Sequence, residues 1–254
     1  MAISFLWFKF MNINILKCDS FPGLLPADIP SYEWMFEQRF NAAAQKLGLS
    51  VSYCLYNVHQ GELPHNFEAD EIYLVTGSNT SAYDTIPWVL SLQDWIRQAY
   101  AQGVVLVGIC FGHQVIAQAL GGKVQRHPQG WGVGIRQSQV LDPALASIIP
   151  GGTMHLICNH HDQVVQLPPR ANRLATSEFC VNEGYTIDGH VITFQGHPEF
   201  TVGYEEHLIL HHADSESADL KNRALDSLKQ LQHHGDRVME HVLTFAAQHI
   251  ALRD

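Results

Sequence analysis

Cys110 sits in Gly108-Ile109-Cys110-Phe111-Gly112, where the apolar run VVLVGI gives way to a helical pattern. A sharp strand-to-helix turn exposes its middle side chain at the carboxyl edge of a sheet, and small flanking residues relieve the crowding. The same turn sets backbone N–H groups of the helix start beside the sulfur. Their dipoles favour a thiolate and can later stabilise an oxyanion. By itself this pattern also fits a buried cysteine at a tight turn, because the thiol behaves as a small hydrophobe.

A partner stands 87 residues downstream in Gln195-Gly196-His197-Pro198-Glu199, directly after the apolar strand pattern HVITF. The imidazole of His197 can take a proton from Cys110 and return it to a departing amine. Glu199 can accept the second ring N–H, fixing the tautomer and favouring the imidazolium. The intervening proline stiffens the backbone that sets their geometry. An isolated His-Pro-Glu turn is usually structural; a cysteine elbow upstream changes its meaning.

Taken together, GICFGHQ and QGHPE resemble the two signature motifs of the triad-type, class I glutamine amidotransferases, over roughly residues 12–200. The resemblance includes the amidotransferase domain of GMP synthetase and the γ-glutamyl peptidases. It implies an open, flavodoxin-like α/β fold with three layers. It also implies that Cys110, His197 and Glu199 are nucleophile, acid/base and orienting carboxylate. Thr76-Gly77-Ser78-Asn79 is similar to the family's oxyanion loop, so Gly77 or Ser78 would donate backbone N–H groups together with Phe111; Ser78 stands where relatives often carry glycine. Gln114 matches a side chain that holds substrate glutamine, and Asn159-His160-His161-Asp162 resembles the loop that binds the substrate's α-amino and carboxylate ends. For those four residues a solvated polar loop is the competing reading. The implied reaction is attack on the amide carbon, collapse to a γ-glutamyl thioester and release of glutamate by water. No cofactor is implied.

The elements that must position these groups alternate. NINILKC reads as a strand, and Ser31 caps a helix carrying Tyr32, Met35, Phe36, Phe40, Ala43 and Leu47 before a stop at Gly48. VSYCLYNV and EIYLVT are further strands. Pro87 opens a helix that Gly103 ends, and a helix from about Phe111 to Leu120 follows the cysteine. This alternation predicts an α/β chain with an open, mainly parallel sheet flanked by helices. Residues 123–196 are richer in strand patterns and form a small extra β section. Amphipathic helices fill 202–250. Residues 11–254 therefore read as one domain with a core over 12–200, and residues 1–10 as an extension outside it. Trp131 beside Gly132 reads as tight packing.

Composition narrows the partners. A formal charge of -10 does not suit a nucleic-acid binder, which concentrates Lys and Arg. The apolar start MAISFLWFKF is too short to span a bilayer and lacks a cleavage site, so no membrane partner is expected. Five dispersed cysteines without a CxxC fit reduced thiols in a cytoplasm. His207, His211 and His212, and the pair His233-His234, could suggest a metal. With no acidic or thiol cluster joined to them, they read as a solvated helix face.

Three functions stay open on these residues. One is a stand-alone hydrolase of glutamine or a γ-glutamyl compound, with a small molecule as its partner. Another is the glutaminase subunit of a two-chain enzyme that passes ammonia to a separate synthetase, since about 55 residues follow Glu199 and carry no phosphate loop. The third is a non-catalytic binding module of the same fold. Cysteine peptidases and hydratases built on related sandwiches are a neighbouring enzyme class.

Overall fold

The computed structural model describes residues 10–21, 23–211 and 217–253. β1 (Phe10–Lys17) leads to α1 (Tyr32–Leu47), β2 (Ser50–Asn57), β3 (Glu71–Val75), α2 (Pro87–Gln102), β4 (Val105–Ile109) and α3 (Phe111–Ala119). The middle supplies β5 (Lys123–Arg126), β6 (Gly132–Val140), α4 (Pro143–Ile148), β7 (Thr153–His160), β8 (Asp162–Gln166), β9 (Ala171–Thr176), β10 (Gly184–Ile187) and β11 (Val191–Phe194). Then come α5 (Val202–His211), α6 (Ala218–Gln230) and α7 (Gly235–Ala251).

The helix ends obey their local chemistry. Ser31 accepts the N–H of Trp34 at 3.3 Å, and Gly48 stops α1 in the left-handed region at φ 69°. There glycine is favoured because it has no Cβ to clash. Pro87 opens α2, where a missing N–H leaves no helical bond unmade.

Nine strands form one sheet in the order β2-β1-β3-β4-β11-β10-β9-β6-β7. From β2 to β11 the pairings are parallel, and from β11 onward they are antiparallel. Most of the β-rich middle thus continues the main sheet. Only β5 and β8 stand apart, as a two-stranded ribbon. They escape a pattern-based reading because they are short and mostly polar, and the six residues of α4 are too few to show a helical period. Phe10 pairs with Ser50, so β1 begins one residue earlier than the predicted edge of the fold; the rest of the proposed extension, 1–9, lies outside the described residues.

Helices cover both faces of this open, flavodoxin-like α/β sheet. One apolar cluster joins Phe36 and Phe40 of α1 and Val242, Leu243 and Ala246 of α7 to Ile13, Leu74 and Val107 of the sheet. The other joins Trp95 and Ile96 of α2 and Val115 and Ile116 of α3 to Tyr73, Leu106 and Tyr185. β4 is buried along its whole length, as a strand covered on both sides must be. Among the described residues no helix is long and apolar enough to cross a membrane.

Because α7 supplies fully buried side chains to the first cluster, truncating one of them should leave a cavity that the sheet cannot close. Leu243→Ala is expected to lower stability by about 2–5 kcal/mol, read as a fall in the urea midpoint.

Candidate active site

Cys110 follows β4 and still belongs to the sheet: its N–H donates to the Phe194 carbonyl of β11 at 2.9 Å. Its φ of 53° and ψ of -103° are an uncommon backbone for a residue with a Cβ. Such strain costs on the order of 1–3 kcal/mol and persists only when surrounding contacts enforce it. Here they do. A Cβ on Gly112 would lie 2.0 Å from the Val75 carbonyl oxygen, and one on Gly108 would lie 2.7 Å from Gly112. Only glycines let β3, β4 and α3 approach this closely. The first bond of α3 runs from Gln114 N–H to the Cys110 carbonyl at 3.1 Å. The amides of Phe111 and Gly112 therefore precede the helical ladder and carry the positive end of its dipole beside the sulfur.

β11 lies next to β4, so the segment that follows it reaches the same sheet edge. There the His197 N–H donates to the Ile157 carbonyl at 2.7 Å, tying the segment to β7. The His197 ring and the Cys110 side chain face the same point beside Gly77 and interact electrostatically, while the ring Nδ1 meets Glu199 Oε1 at 2.8 Å. The Tyr32 hydroxyl donates to the same carboxylate oxygen at 2.9 Å, and the Phe200 ring stacks on the imidazole at 3.9 Å. Burial alone would drive a proton off His197. The Glu199 carboxylate, then the Cys110 sulfur, outweighs that burial and lifts the ring to about 10. Burial first, and Glu199 second, push the Tyr32 ionisation well above its usual range, so it remains a donor.

Gly77 closes this group. A Cβ there would lie 3.2 Å from His197 Cε1, 3.8 Å from Cys110 Cβ and 2.8 Å from the Tyr32 hydroxyl. The loop beyond it is held by Asp19, which accepts the Asn79 N–H at 3.0 Å and the Ser78 hydroxyl at 3.4 Å.

Cys110 opens into a narrow cleft of about 40 Å³. Its walls are Ser78 to Ser81 on one side, Gln114 on α3, and Asn159 to Asp162 on the other. Asp162 links the walls: Oδ2 accepts the Ser81 hydroxyl at 2.6 Å, and Oδ1 accepts the Tyr83 hydroxyl at 3.3 Å and His161 Nδ1 at 2.7 Å. Its carbonyl accepts Gln114 Nε2 at 2.8 Å and His160 Nδ1–H at 3.1 Å. Burial pushes His160 down to about 3, so its ring is neutral. Asn159 to Asp162 are thus not a solvated loop; they straddle the end of β7 and the start of β8.

The predicted residues accordingly meet at one edge of the sheet. The Phe111 ring turns away to pack against Trp88, leaving only its amide at the site. His113 faces inward, with Nδ1 at 2.8 Å from the Thr193 hydroxyl. Trp131 is more than packing: its ring meets His161 edge-on at 4.5 Å and lines the cleft. Tyr32, Ser81 and Tyr83 are site residues that no motif marks, while Gln195, the first residue of QGHPE, accepts Gln114 Nε2 at 3.2 Å. Among the described residues no three His, Cys, Asp or Glu side chains gather as around a metal ion. The His207 and His211 rings lie 4.7 Å apart, and His212 falls outside the described residues.

Residues 32–213 match the family described as glutamine amidotransferase class-I. The Saccharomyces cerevisiae protein YLR126C, whose name assigns it provisionally to the glutamine amidotransferases, is 30% identical over 209 residues, covering 79% of this chain and 82% of that protein. Gamma-glutamyl peptidase 3 of Arabidopsis thaliana is 30% identical over 154 residues, covering 58% of this chain and 62% of that protein. Among solved structures, a glutamine amidotransferase of Thermotoga maritima superposes with a TM-score of 0.68 at 19% identity, covering 95% and 98% of the two chains.

The elbow's dependence on a missing side chain is directly testable. Gly112→Ala is expected to destabilise the fold by about 1–3 kcal/mol or more, since its Cβ would meet backbone rather than a movable side chain. Thermal unfolding of the two proteins measures the difference.

Proposed function

Because this chain belongs to the class-I glutamine amidotransferase family, we propose that it hydrolyses a γ-glutamyl amide through a thioester on Cys110. The observation that carries this reading is one imidazole set beside the elbow sulfur and held by Glu199 at 2.8 Å, its charge favoured by both groups. The relatives named γ-glutamyl peptidases favour a γ-glutamyl compound or glutamine itself as substrate.

In this mechanism the resting pair is Cys110 thiolate and His197 imidazolium. The sulfur attacks the γ-carbonyl carbon, and negative charge gathers on the carbonyl oxygen. The amide of Phe111, with that of Gly77 or Ser78, stabilises this oxygen; losing such a donor costs on the order of 10² to 10³ in rate. As the tetrahedral centre collapses, the C–N bond breaks and His197 gives its proton to the leaving nitrogen. Water then enters, its proton passes to His197, the C–S bond breaks and glutamate leaves. Glu199 holds the imidazolium in place, and Tyr32 holds Glu199. Gln114, Asn159, His160, His161 and Asp162 line the pole that would receive the α-amino and α-carboxylate groups.

Cys110→Ala is expected to abolish release of glutamate while leaving the melting temperature within a few degrees of the parent. Turnover equal to the parent's would end the mechanism. Full activity of the purified chain also separates a self-sufficient hydrolase from a glutaminase subunit, whose turnover would rise only when a synthetase chain is added.

The pH profile tests the charge balance at His197. Its imidazolium is the proton donor, so activity should persist upward until the ring deprotonates near pH 10. In Glu199→Gln the opposing carboxylate charge is gone and burial prevails. The alkaline limb of kcat/KM is then expected to move at least one unit lower.

A further inference from the structure

Glu205 lies in the first turn of α5 with none of its surface exposed, and the mechanism above leaves it without a task. Its Oε1 accepts the Gly134 N–H of β6 at 3.2 Å, and its Oε2 accepts Asn159 Nδ2 at 3.4 Å. An ionised carboxylate can only accept hydrogen bonds. When ionised it therefore commits the nitrogen of the Asn159 amide and leaves the amide oxygen free for another donor. Asn159 borders the cleft together with Cys110 and Gln114. The group it can offer there is consequently an acceptor.

We propose that Glu205 is a positioning residue that orients Asn159 so that its oxygen receives the α-ammonium group of a γ-glutamyl substrate. This rests on the hydrolase reading above and adds to it a recognised pole and the residue that sets the pole's sign. A buried carboxylate at this place favours a cation nearby and disfavours a substrate carboxylate. Glu205 thus selects for an amino group on the α-carbon, without touching the substrate.

The protonation of Glu205 gives this arrangement a pH signature. Burial pushes its carboxyl up to about 8, against the pull of the Gly134 amide, the His197 charge and the Asn159 amide. Only the ionised form demands the nitrogen of Asn159, so preference for the α-amino group should grow as pH rises from 6 to 8. Among the described residues, the titratable groups facing Glu205 are His197 after β11, Cys158 on β7 and its α5 neighbour Tyr204. None of them changes charge in that window. His197 is lifted to about 10, and burial raises both the Cys158 thiol and the Tyr204 phenol far above neutrality.

The experiment compares two chromogenic anilides with the same leaving group, γ-glutamyl anilide and glutaryl anilide, which lacks the α-amino group. The readout is the ratio of their kcat/KM values. Glu205→Gln keeps the volume and still accepts from Gly134, but it presents an N–H to Asn159 and turns that amide around. Above pH 8, where Glu205 is mostly ionised, the ratio is expected to fall roughly tenfold to a hundredfold, the scale of one charge-assisted hydrogen bond, and its rise between pH 6 and 8 is expected to be lost. Adding Asn159→Asp to Glu205→Gln restores an acceptor and should recover most of the ratio, which a purely structural role for Glu205 would not allow. Should Glu205→Gln fail to fold, Asn159→Ala reads the same pole: a fall in the ratio supports the assignment, and an unchanged ratio overturns it. A parent enzyme that prefers γ-glutamyl anilide with a ratio untouched by Glu205→Gln overturns this assignment alone. A parent inert toward both anilides overturns the hydrolase reading beneath it.

Discussion

A single backbone hydrogen bond, from the Cys110 amide to the Phe194 carbonyl at 2.9 Å, is the junction on which the site depends. It makes the last bond of a parallel pair, so two chain segments leave the sheet side by side at one edge. One turns abruptly into α3 and carries the sulfur. The other runs on to His197 and is caught by β7 through the Ile157 carbonyl. Parallel pairing thus converts a separation of 87 residues along the chain into a meeting of two side chains beside Gly77.

Around that junction the protein assembles buried charge with care. Glu199 is wholly buried, and its Oε1 is shared by His197 and Tyr32. The backbone that carries it is held from outside: Arg39 of α1 donates to the Glu199 carbonyl at 3.5 Å and the Phe200 carbonyl at 2.9 Å, and pairs with Asp236 of α7. Gly235 sits so close to the Pro198 carbonyl that a Cβ would come within 2.1 Å. α1 and α7 therefore brace the imidazole-bearing loop as well as closing the core. A buried ion pair whose geometry is fixed this way resists the reorganisation that would otherwise accompany each proton transfer.

What could be read from sequence was what is local. GICFGHQ and QGHPE carry their geometry within a few residues, since glycine at a close approach and proline beside a catalytic-type histidine are demands of the backbone itself. Helix caps at Ser31 and Gly48 and the stop at Gly103 were legible for the same reason. Tyr32 was visible only as the first apolar residue of α1, because its bond to Glu199 spans 167 positions that nothing in the pattern connects. Ser81 and Tyr83 reach Asp162 across the cleft in the same way, and Trp131 looked like packing until His161 stood against it. β5 and β8 were missed because a four-residue and a five-residue strand, largely polar, have too little periodicity to register.

The narrowness of the cleft bears on what can finish the reaction. A thioester is open to amines and thiols as well as to water, and an exposed one would hand its acyl group to whichever nucleophile arrived. At Cys110 the free space beside the sulfur is about 40 Å³, enough for one or a few water molecules. An acceptor would enter where the leaving amine departs, so any amine that can leave from this cleft can also return to the thioester. The balance between hydrolysis and transfer in the acyl-enzyme proposed above is then set by how quickly the first amine leaves the cleft and water takes its place.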